Sequence, residues 1–427
     1  MKICENAAQT PESLADVEAG ILRDVTADGP RRFEEALQSM AGAEPSAGSD
    51  GRRLRRAGRI GMEVDTSFGK ARISVVCGQC KSTRGWETPF RDRLFRGERG
   101  AVSPALERKV VTTVCETGSF EKAAKACGAW GCGLGDDKAT ATMRRVGDAC
   151  DPAPLPKLCG CAAGEGDTLI VMMDGWPARF KEARRGNPKA PRDERVSWRE
   201  ARSAVMFRLP QVAEANRGRR TPITKHVVAM PAETSPVDFG RRVQDEAQRT
   251  GMNRAAKVCV IMDGGVCLWG VFDDRFADTA VGRLDYYHAS QRLHALADAL
   301  FPQESQKAER ESWTHRLLKN LKTWGPKTLM DAIAEAEEKK IADKERREAV
   351  RREASCFGDH EGHMNYRTAR GEGVPMGSGA MESQRSQNQN RFKRRGQFWS
   401  KGGFASFLEA YVWYTNNEIK CLYRPAA

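Results

Sequence analysis

Two runs of consecutive hydrophobic residues near the middle of the chain each end in an aspartate. Residues 168–175 read TLIVMMDG, and residues 257–265 read KVCVIMDGG. Continuous hydrophobic runs of this length, followed by glycine, are typical of strands that are buried on both faces. The pattern therefore predicts two buried strands that end in Asp174 and Asp263.

Hydrophobic spacing predicts further elements around these two strands. The predicted order is strand, strand, strand, helix, strand, helix, strand, over residues 168–175, 197–209, 221–232, 235–251, 257–265, 266–276 and 279–287. In the first of these helices Phe239, Val243 and Ala247 recur every fourth residue, as on one face of an amphipathic helix. The order is that of an RNase H-like core, in which the first and fourth strands are neighbours. Asp174 and Asp263 are therefore expected to meet.

The segment before this core is predicted to be helical. Residues 104–149 divide into three helices, with Gly118 ending the first and Ser119 capping the second. Two short helices and a turn suggest a helix-turn-helix that carries Arg144 and Arg145 on its last helix. A small helical packing domain that does not contact a DNA groove explains the same pattern, and both interpretations remain open.

The ends of the chain and the segment after the core show weaker patterns. Residues 1–60 lack a sustained hydrophobic period, so we expect a largely disordered arm with one helix near Arg31–Met40. A helix is predicted from about His288, and residues 290–370 are mostly helical. Within them, residues 331–354 carry eight acids and seven bases, which predicts one exposed helix with i,i+4 ion pairs.

The fold class expected from these patterns is mixed α/β (α+β). An RNase H-like catalytic core with a helical insertion follows a small helical, helix-turn-helix-like domain. The predicted regions are a disordered arm (1–70), a Cys-bearing DNA-binding region (71–160), the first part of the core (165–290), the helical insertion (291–370), and the core completion with a basic tail (371–427).

Positive charge is concentrated in two places. The net charge is +13, and residues 52–59 read RRLRRAGR. Residues 383–401 hold six bases and no acid: Arg385, Arg391, Lys393, Arg394, Arg395 and Lys401. Clustered Lys and Arg neutralise phosphates and release counterions, so DNA is the expected partner. No hydrophobic run of membrane-spanning length and no secretory signal is present, which predicts a cytoplasmic protein.

Thirteen cysteines are present, and two close pairs have spacings that metal sites use. Cys77 and Cys80 form one pair, and Cys159 and Cys161 form the other. The pairs lie far apart in the sequence for a compact zinc ribbon, so structural zinc is only weakly indicated. Free, half-buried thiols are the favoured interpretation.

A third acid, Glu382, stands in the segment GVPMGSGAMES. Gly377, Ser378 and Gly379 are expected to cap a helix that begins near Ala380, which places Glu382 in its first turn. Three carboxylates suit phosphodiester chemistry with two Mg²⁺ or Mn²⁺ ions about 3.5–4 Å apart, because magnesium prefers carboxylate oxygens. We therefore predict that Asp174, Asp263 and Glu382 are the metal ligands and catalytic acids.

Two segments resemble a known family. Residues 257–293 (KVCVIMDGGVCLWGVFDDRFADTAVGRLDYYHASQRL) and residues 373–403 (GVPMGSGAMESQRSQNQNRFKRRGQFWSKGG) look like insertion-sequence transposases of the ISKra group, which are similar to Mutator-like DDE transposases. The D-Y-Y-H and G-S-G-x-x-E-S motifs are the most specific parts. The resemblance implies a DNA transposase that acts on element ends as a homo-oligomer associated with the nucleoid.

Alternatives remain for the function and for the second acid. A catalytically inactive or domesticated DNA-binding protein, or an RNase H-like nuclease that only hydrolyses, would carry the same residues. Asp285 also ends a predicted strand, and His288 follows one helical turn later. We choose Asp263 because its strand neighbours that of Asp174, and we assign Asp285 and His288 to positions around the metal ligands. Capping or packing at the start of the following helix explains His288 equally well, and both interpretations remain open.

Overall fold

The computed structural model describes residues 13–95, 101–150, 166–181, 196–215 and 219–423. The chain divides into two compact units, Met1–Pro152 with Ile419–Ala427, and Ala153–Glu418. Both helices and sheets are present, so the mixed α and β fold class is confirmed. In the part of the chain that the structure describes, no helix is long and apolar enough to cross a membrane.

The first unit contains a small sheet and four longer helices. Its elements are α1 (Leu14–Ala43), β1 (Arg55–Thr66), β2 (Gly69–Gln79), β3 (Trp86–Glu87), α2 (Pro89–Leu94), β4 (Ala101–Val102), α3 (Pro104–Thr117), α4 (Phe120–Ala129) and α5 (Asp136–Cys150). The sheet order is β3-β2-β1-β4. Leu37 and Ala41 of α1 pack on Val64, Ile73 and Val75 of the sheet.

The prediction of a disordered arm over residues 1–70 is wrong for residues 13–70. A thirty-residue helix and a twelve-residue strand occupy most of this range. The predicted boundary at residue 70 is wrong as well, because β1 pairs with β2 through Thr66 and Gly69. The hydrophobic residues of α1 are too sparse to reveal a period in the sequence, yet two of them complete the core of the sheet.

The three helices predicted over residues 104–149 are confirmed as α3, α4 and α5. Gly118 ends α3 in the left-handed conformation, with φ 61°, and the Ser119 hydroxyl accepts a hydrogen bond from the Lys122 amide at 3.3 Å. Arg144 is exposed. The Arg145 guanidinium donates to Glu107 of α3 at 3.0 Å and is largely buried, so it serves packing within this unit rather than a free basic surface.

The zinc interpretation gains no support. Cys159 and Cys161 lie outside the described residues. Cys80 is buried, with its thiol 3.3 Å from the Ser82 hydroxyl, and Cys77 is a half-buried free thiol.

The second unit is built on a five-stranded sheet in the order β11-β10-β5-β6-β9. Its strands are β5 (Thr168–Lys181), β6 (Val196–Arg208), β7 (Val212–Ala215), β8 (Arg219–Pro222), β9 (His226–Met230), β10 (Lys257–Met262) and β11 (Val281–Leu284). β7 and β8 form a separate hairpin. β5, β6 and β9 are antiparallel neighbours, whereas β10 and β11 run parallel to β5. The predicted element order is confirmed, apart from the added hairpin.

Helices cover both faces of this sheet. They are α6 (Pro236–Arg249), α7 (Val266–Arg275), α8 (Tyr286–Leu300), α9 (Lys307–Trp324), α10 (Lys327–Glu338), α11 (Lys344–Asp359), α12 (Tyr366–Gly371), α13 (Gly379–Phe392) and α14 (Lys401–Thr415). Alternate residues of β5 explain this arrangement. Val171 and Met173 pack on the side of α6, α7 and α8, whereas Ile170 and Met172 pack on the side of Met381 in α13.

Two predictions about the helices need correction. Residues 331–354 do not form one exposed helix. A non-helical segment separates α10 from α11, and Ile333 and Val350 are buried in the main core. The basic residues near position 393 do not form a tail either. They lie at the end of α13 and in the segment before α14, residues 391–400, which we call the basic loop. α14 itself buries Phe404, Phe407 and neighbouring residues.

Candidate active site

Asp174 lies inside β5 rather than at its end, so the predicted end of that strand is wrong. β5 continues to Lys181 and stays paired with β6 throughout. The extension forms because Trp176, Ala178 and Phe180 alternate with more polar residues and are fully buried. Asp174 shares the sheet face of Met172, and only 6% of its surface is exposed. The result is a carboxylate in the middle of the sheet.

Asp263 directly follows β10, and the prediction that this strand neighbours the strand of Asp174 is confirmed. Met262 of β10 is paired in parallel with Met173 of β5, so each aspartate directly follows a paired residue. Neighbouring strands are about 4.8 Å apart. Two hydrogen bonds fix the position of Asp263. The Gly265 amide donates to Asp263 Oδ1 at 3.0 Å, and the Trp269 indole N–H donates to the Asp263 carbonyl oxygen at 2.7 Å.

Glu382 reaches the same place from a helix. α13 begins at Gly379, with Ser378 as its N-cap residue, so the predicted first-turn position of Glu382 is confirmed. One turn later, the Arg385 guanidinium lies 3.7 Å from Glu382 Oε1 and donates to Asp174 Oδ2 at 3.2 Å. Arg385, predicted to touch DNA, thus binds two of the three acids in this structure.

The electrostatics of Asp174 show that the three acids lie within interaction range. Burial raises the pKa of Asp174 to about 7, because the charged form loses its water. The Arg385 charge opposes this rise, whereas the negative charges of Asp263 and Glu382 add to it. The site therefore holds more negative charge than Arg385 compensates.

This pKa predicts how stability depends on pH without divalent metal. Asp174 is raised from 3.8 to about 7 on folding, so the folded state holds a proton that the unfolded state releases. Stability then falls as pH rises across this window and levels above pH 7. Asp174→Asn mimics the protonated carboxyl. Relative to the wild type, it should gain about 3 kcal/mol between pH 5 and pH 8, at about 1.4 kcal/mol per pKa unit.

Urea unfolding in EDTA at several pH values measures this difference. Asp278→Asn, a change at an exposed aspartate, provides the control and should show no such trend. Parallel curves for wild type and Asp174→Asn would contradict the raised pKa.

Asp285 is a buried acid near the site whose carboxylate is occupied by hydrogen bonds within the protein. It follows β11 at the same level of the sheet as Asp263, and only 1% of its surface is exposed. Its Oδ1 accepts hydrogen bonds from the backbone amides of Tyr287 at 2.6 Å and His288 at 3.3 Å, and these bonds cap the start of α8. Its Oδ2 accepts the Ser378 amide at 2.7 Å and the Ser378 hydroxyl. Asp285 thus joins α8 to the start of α13, and the half-buried His288 takes part through its backbone.

A buried polar network that the sequence did not reveal positions α13. The Gln384 amide donates to Asn388 at 2.9 Å, and the Asn388 amide donates to the Ser203 hydroxyl of β6 at 3.1 Å. The Trp176 indole donates to the same hydroxyl at 2.7 Å. Gln384 and Asn388 are one helical turn apart, and that spacing was the available signal. The network fixes the rotation of α13, and with it the direction of Glu382.

The helical insertion reaches the loop that follows Asp263. A Cβ at Gly264 would lie 3.1 Å from Cys356 Sγ and 3.2 Å from Arg292 Nε, so glycine permits this close approach. Arg292 donates to Glu353 of α11 at 3.0 Å. The insertion therefore packs on the Asp263 loop, and sequence reasoning missed Arg292 because it lies in an ordinary amphipathic helix.

The remaining predicted DNA-binding residues lie at the end of α13 and in the loop that follows. Lys393 Nζ lies 5.0 Å from the centre of the Trp198 ring, Arg394 Nε donates to the Asn390 carbonyl at 2.9 Å, and Arg395 is exposed. Arg391 ends α13 and is partly exposed.

The aromatic residues that flank these bases hold the loop in place. Phe392 packs on Trp399 with ring centres 5.5 Å apart, and the Trp399 amide donates to Arg179 of β5 at 3.0 Å. The basic loop is therefore anchored at both ends.

The three acids of the site provide the kind of ligand atom that the predicted metal ions prefer. Asp174, Asp263 and Glu382 offer only carboxylate oxygens, which suit Mg²⁺ or Mn²⁺. The Arg385 guanidinium stands where positive charge is needed between two of them. Within the described residues, no group of three or more His, Cys, Asp or Glu side chains is already close enough to hold an ion. The chemistry of the residues fits, with Arg385 as the cation that an ion would displace.

No protein-family model matches this chain, and no curated protein matches it.

Proposed function

We propose that this protein is a DNA transposase that uses Asp174, Asp263 and Glu382 as a DDE set. The observation that carries the proposal is the parallel register of β5 and β10, which brings Asp174 and Asp263 to neighbouring positions, with Glu382 joined to Asp174 through Arg385. The order β11-β10-β5-β6-β9 supports an RNase H-like core. The resemblance of two segments to ISKra-group transposases supplies the reaction class.

The roles of the residues follow from their positions. Asp174 and Asp263 would hold divalent cations between two strands, and Glu382 would complete the ligands from α13. Bound Mg²⁺ or Mn²⁺ ions would supply an activated nucleophile and charge stabilisation at the leaving oxygen. Arg385 would exchange its carboxylate partners for a DNA phosphate when cations bind. Asp285 and Ser378 keep α13 in place, and the basic loop binds the DNA backbone.

The reaction we propose is hydrolysis at an element end followed by strand transfer to target DNA, by a homo-oligomer assembled on DNA in the nucleoid. The test is to incubate the full chain with DNA from both flanks of its gene and with Mg²⁺ or Mn²⁺. We expect nicks at the element ends and joined products. Nicks without joined products would indicate a nuclease that only hydrolyses. Binding without nicks would indicate an inactive DNA-binding protein.

The basic loop leads to a separate prediction about salt dependence. The variant replaces four residues by glutamine: Arg391, Lys393, Arg394 and Arg395. Removing one phosphate-binding cation should reduce the slope of log affinity against log salt by about 0.9, so a reduction of up to about 4 is expected for the variant. Fluorescence anisotropy at several salt concentrations measures the slope. The control replaces four exposed lysines of the helical insertion by glutamine: Lys307, Lys327, Lys340 and Lys344. Equal slopes for the two variants would contradict DNA binding by the loop.

A further inference from the structure

A cavity of about 240 Å³ is lined by Met172, which lies on the sheet face of Asp174, and by the start of α13. Met172 and Phe207 contribute to its floor, and Tyr287, Lys322 and Met376 contribute to its walls. Its volume is below the roughly 300–1,000 Å³ of a site for a drug-sized molecule. A single planar group of modest size fits it better than a large cofactor.

The walls combine an apolar surface with a cation. The Tyr287 side chain is 66% exposed, so its ring is available for stacking. Lys322 Nζ lies 4.3 Å from the centre of the Tyr286 ring and, among the described residues, has no carboxylate partner. An exposed aromatic ring beside a lysine ammonium suits a ligand in which an aromatic ring is joined to a negatively charged group. A nucleobase with its phosphate has this chemistry.

The location ties the cavity to the acids. Met172 is two residues before Asp174 on the same face of β5, and Gly379 and Ala380 line the cavity in the turn of α13 that contains Glu382. A Cβ at Gly377 would lie 2.5 Å from Tyr287 Cδ2, so glycine at the rim lets the Tyr287 ring take its position there. A base in the cavity would therefore keep its backbone phosphates next to the carboxylates.

We propose that this cavity binds one unpaired nucleobase of the DNA strand at the active site, stacked on Tyr287, with Lys322 on the adjacent phosphate. The proposal rests on the proposed function, because it assumes that DNA occupies the carboxylate site. It adds a positioning role: the captured base fixes which phosphate faces Asp174, Asp263 and Glu382. Capture requires the base to leave its stack, which favours frayed or unpaired ends.

The experiment measures binding in EDTA, so it does not depend on cleavage. The probes are a short DNA duplex with a single-stranded 3′ extension and a matched series in which one extension nucleotide at a time lacks its base. For the wild type, one abasic position should weaken binding roughly five- to a hundredfold, as expected for loss of one stacked base. In Tyr287→Ala, intact and abasic probes should bind equally, whereas Tyr287→Phe should keep the difference.

Two controls complete the test. Trp324→Ala removes another exposed aromatic side chain that does not line the cavity, and it should keep the abasic effect. Lys322→Gln should weaken all probes alike and reduce the salt slope by about 0.7, the value for one phosphate of a single strand, whereas Lys322→Arg should not. The proposal is overturned if no abasic position matters, or if Tyr287→Ala leaves the abasic effect unchanged. An abasic effect without metal-dependent cleavage would overturn the proposed function alone.

Discussion

Asp263→Asn should abolish DNA cleavage with either Mg²⁺ or Mn²⁺. Asp263 directly follows β10 and neighbours Asp174 of β5, so the substitution removes one of two adjacent carboxylates and the charge that would hold a cation there. Loss of several kcal/mol of transition-state stabilisation corresponds to a decrease of at least about a thousandfold in rate. Single-turnover cleavage of labelled element-end DNA, in each metal, measures the effect.

Asp285→Asn provides the comparison, because Asp285 directly follows β11 at the same level of the sheet at which Asp263 follows β10. Its carboxylate already accepts hydrogen bonds from Tyr287, His288 and Ser378. The N–H₂ group of an asparagine would face either the Tyr287 and His288 amides or the Ser378 amide. Because two donors cannot hydrogen bond to each other, the substitution should cost about 1–3 kcal/mol of stability. We expect a less stable protein that retains measurable cleavage. If Asp285→Asn were inactive at full stability while Asp263→Asn stayed active, the assignment of the second acid would be wrong.

Glu382→Gln should separate binding from chemistry. The change removes a charge and almost no volume, and the Glu382 side chain is 53% exposed, so the fold should be unaffected. Cleavage should fall by at least about a thousandfold, whereas affinity for DNA should stay equal or increase, because one negative charge near the phosphates is removed.

The matched control for Glu382→Gln is Glu311→Gln, which alters an exposed glutamate of α9 and should change neither property. Affinity is measured by anisotropy in EDTA, and cleavage is measured with metal. Loss of both properties in Glu382→Gln would assign a structural role to Glu382 and would remove it from the catalytic set.

The sequence was informative where a local pattern decides the structure. The runs before Asp174 and Asp263 are hydrophobic throughout, so they could only be buried strands or buried helix segments, and their length favoured strands. Serine and glycine at positions such as Ser119 and Gly377 marked where helices begin. These signals placed the two aspartates on neighbouring strands and Glu382 in the first turn of a helix.

Features that depend on distant partners could not be predicted. The extension of β5 beyond Asp174 needs the aromatic cluster of Phe392, Trp399 and Phe404, which comes about two hundred residues later. The Ser203–Asn388 hydrogen bond joins positions 185 residues apart. The pairing of Arg385 with Asp174 also depends on tertiary structure, so a residue predicted to face DNA lies against an acid.

Because α13 is continuous, it fixes the distance between Glu382 in its first turn and the basic residues at its end. Glu382 and Arg391 lie nine residues apart on one unbroken helix, a rise of about 13.5 Å at about 1.5 Å per residue. Along a DNA duplex this corresponds to about four base-pair steps of about 3.4 Å. If the protein is the proposed transposase, α13 would hold the reacting phosphate at a fixed distance from the DNA backbone bound at Arg391. Inserting one residue would lengthen it by about 1.5 Å and rotate its two ends by about 100°.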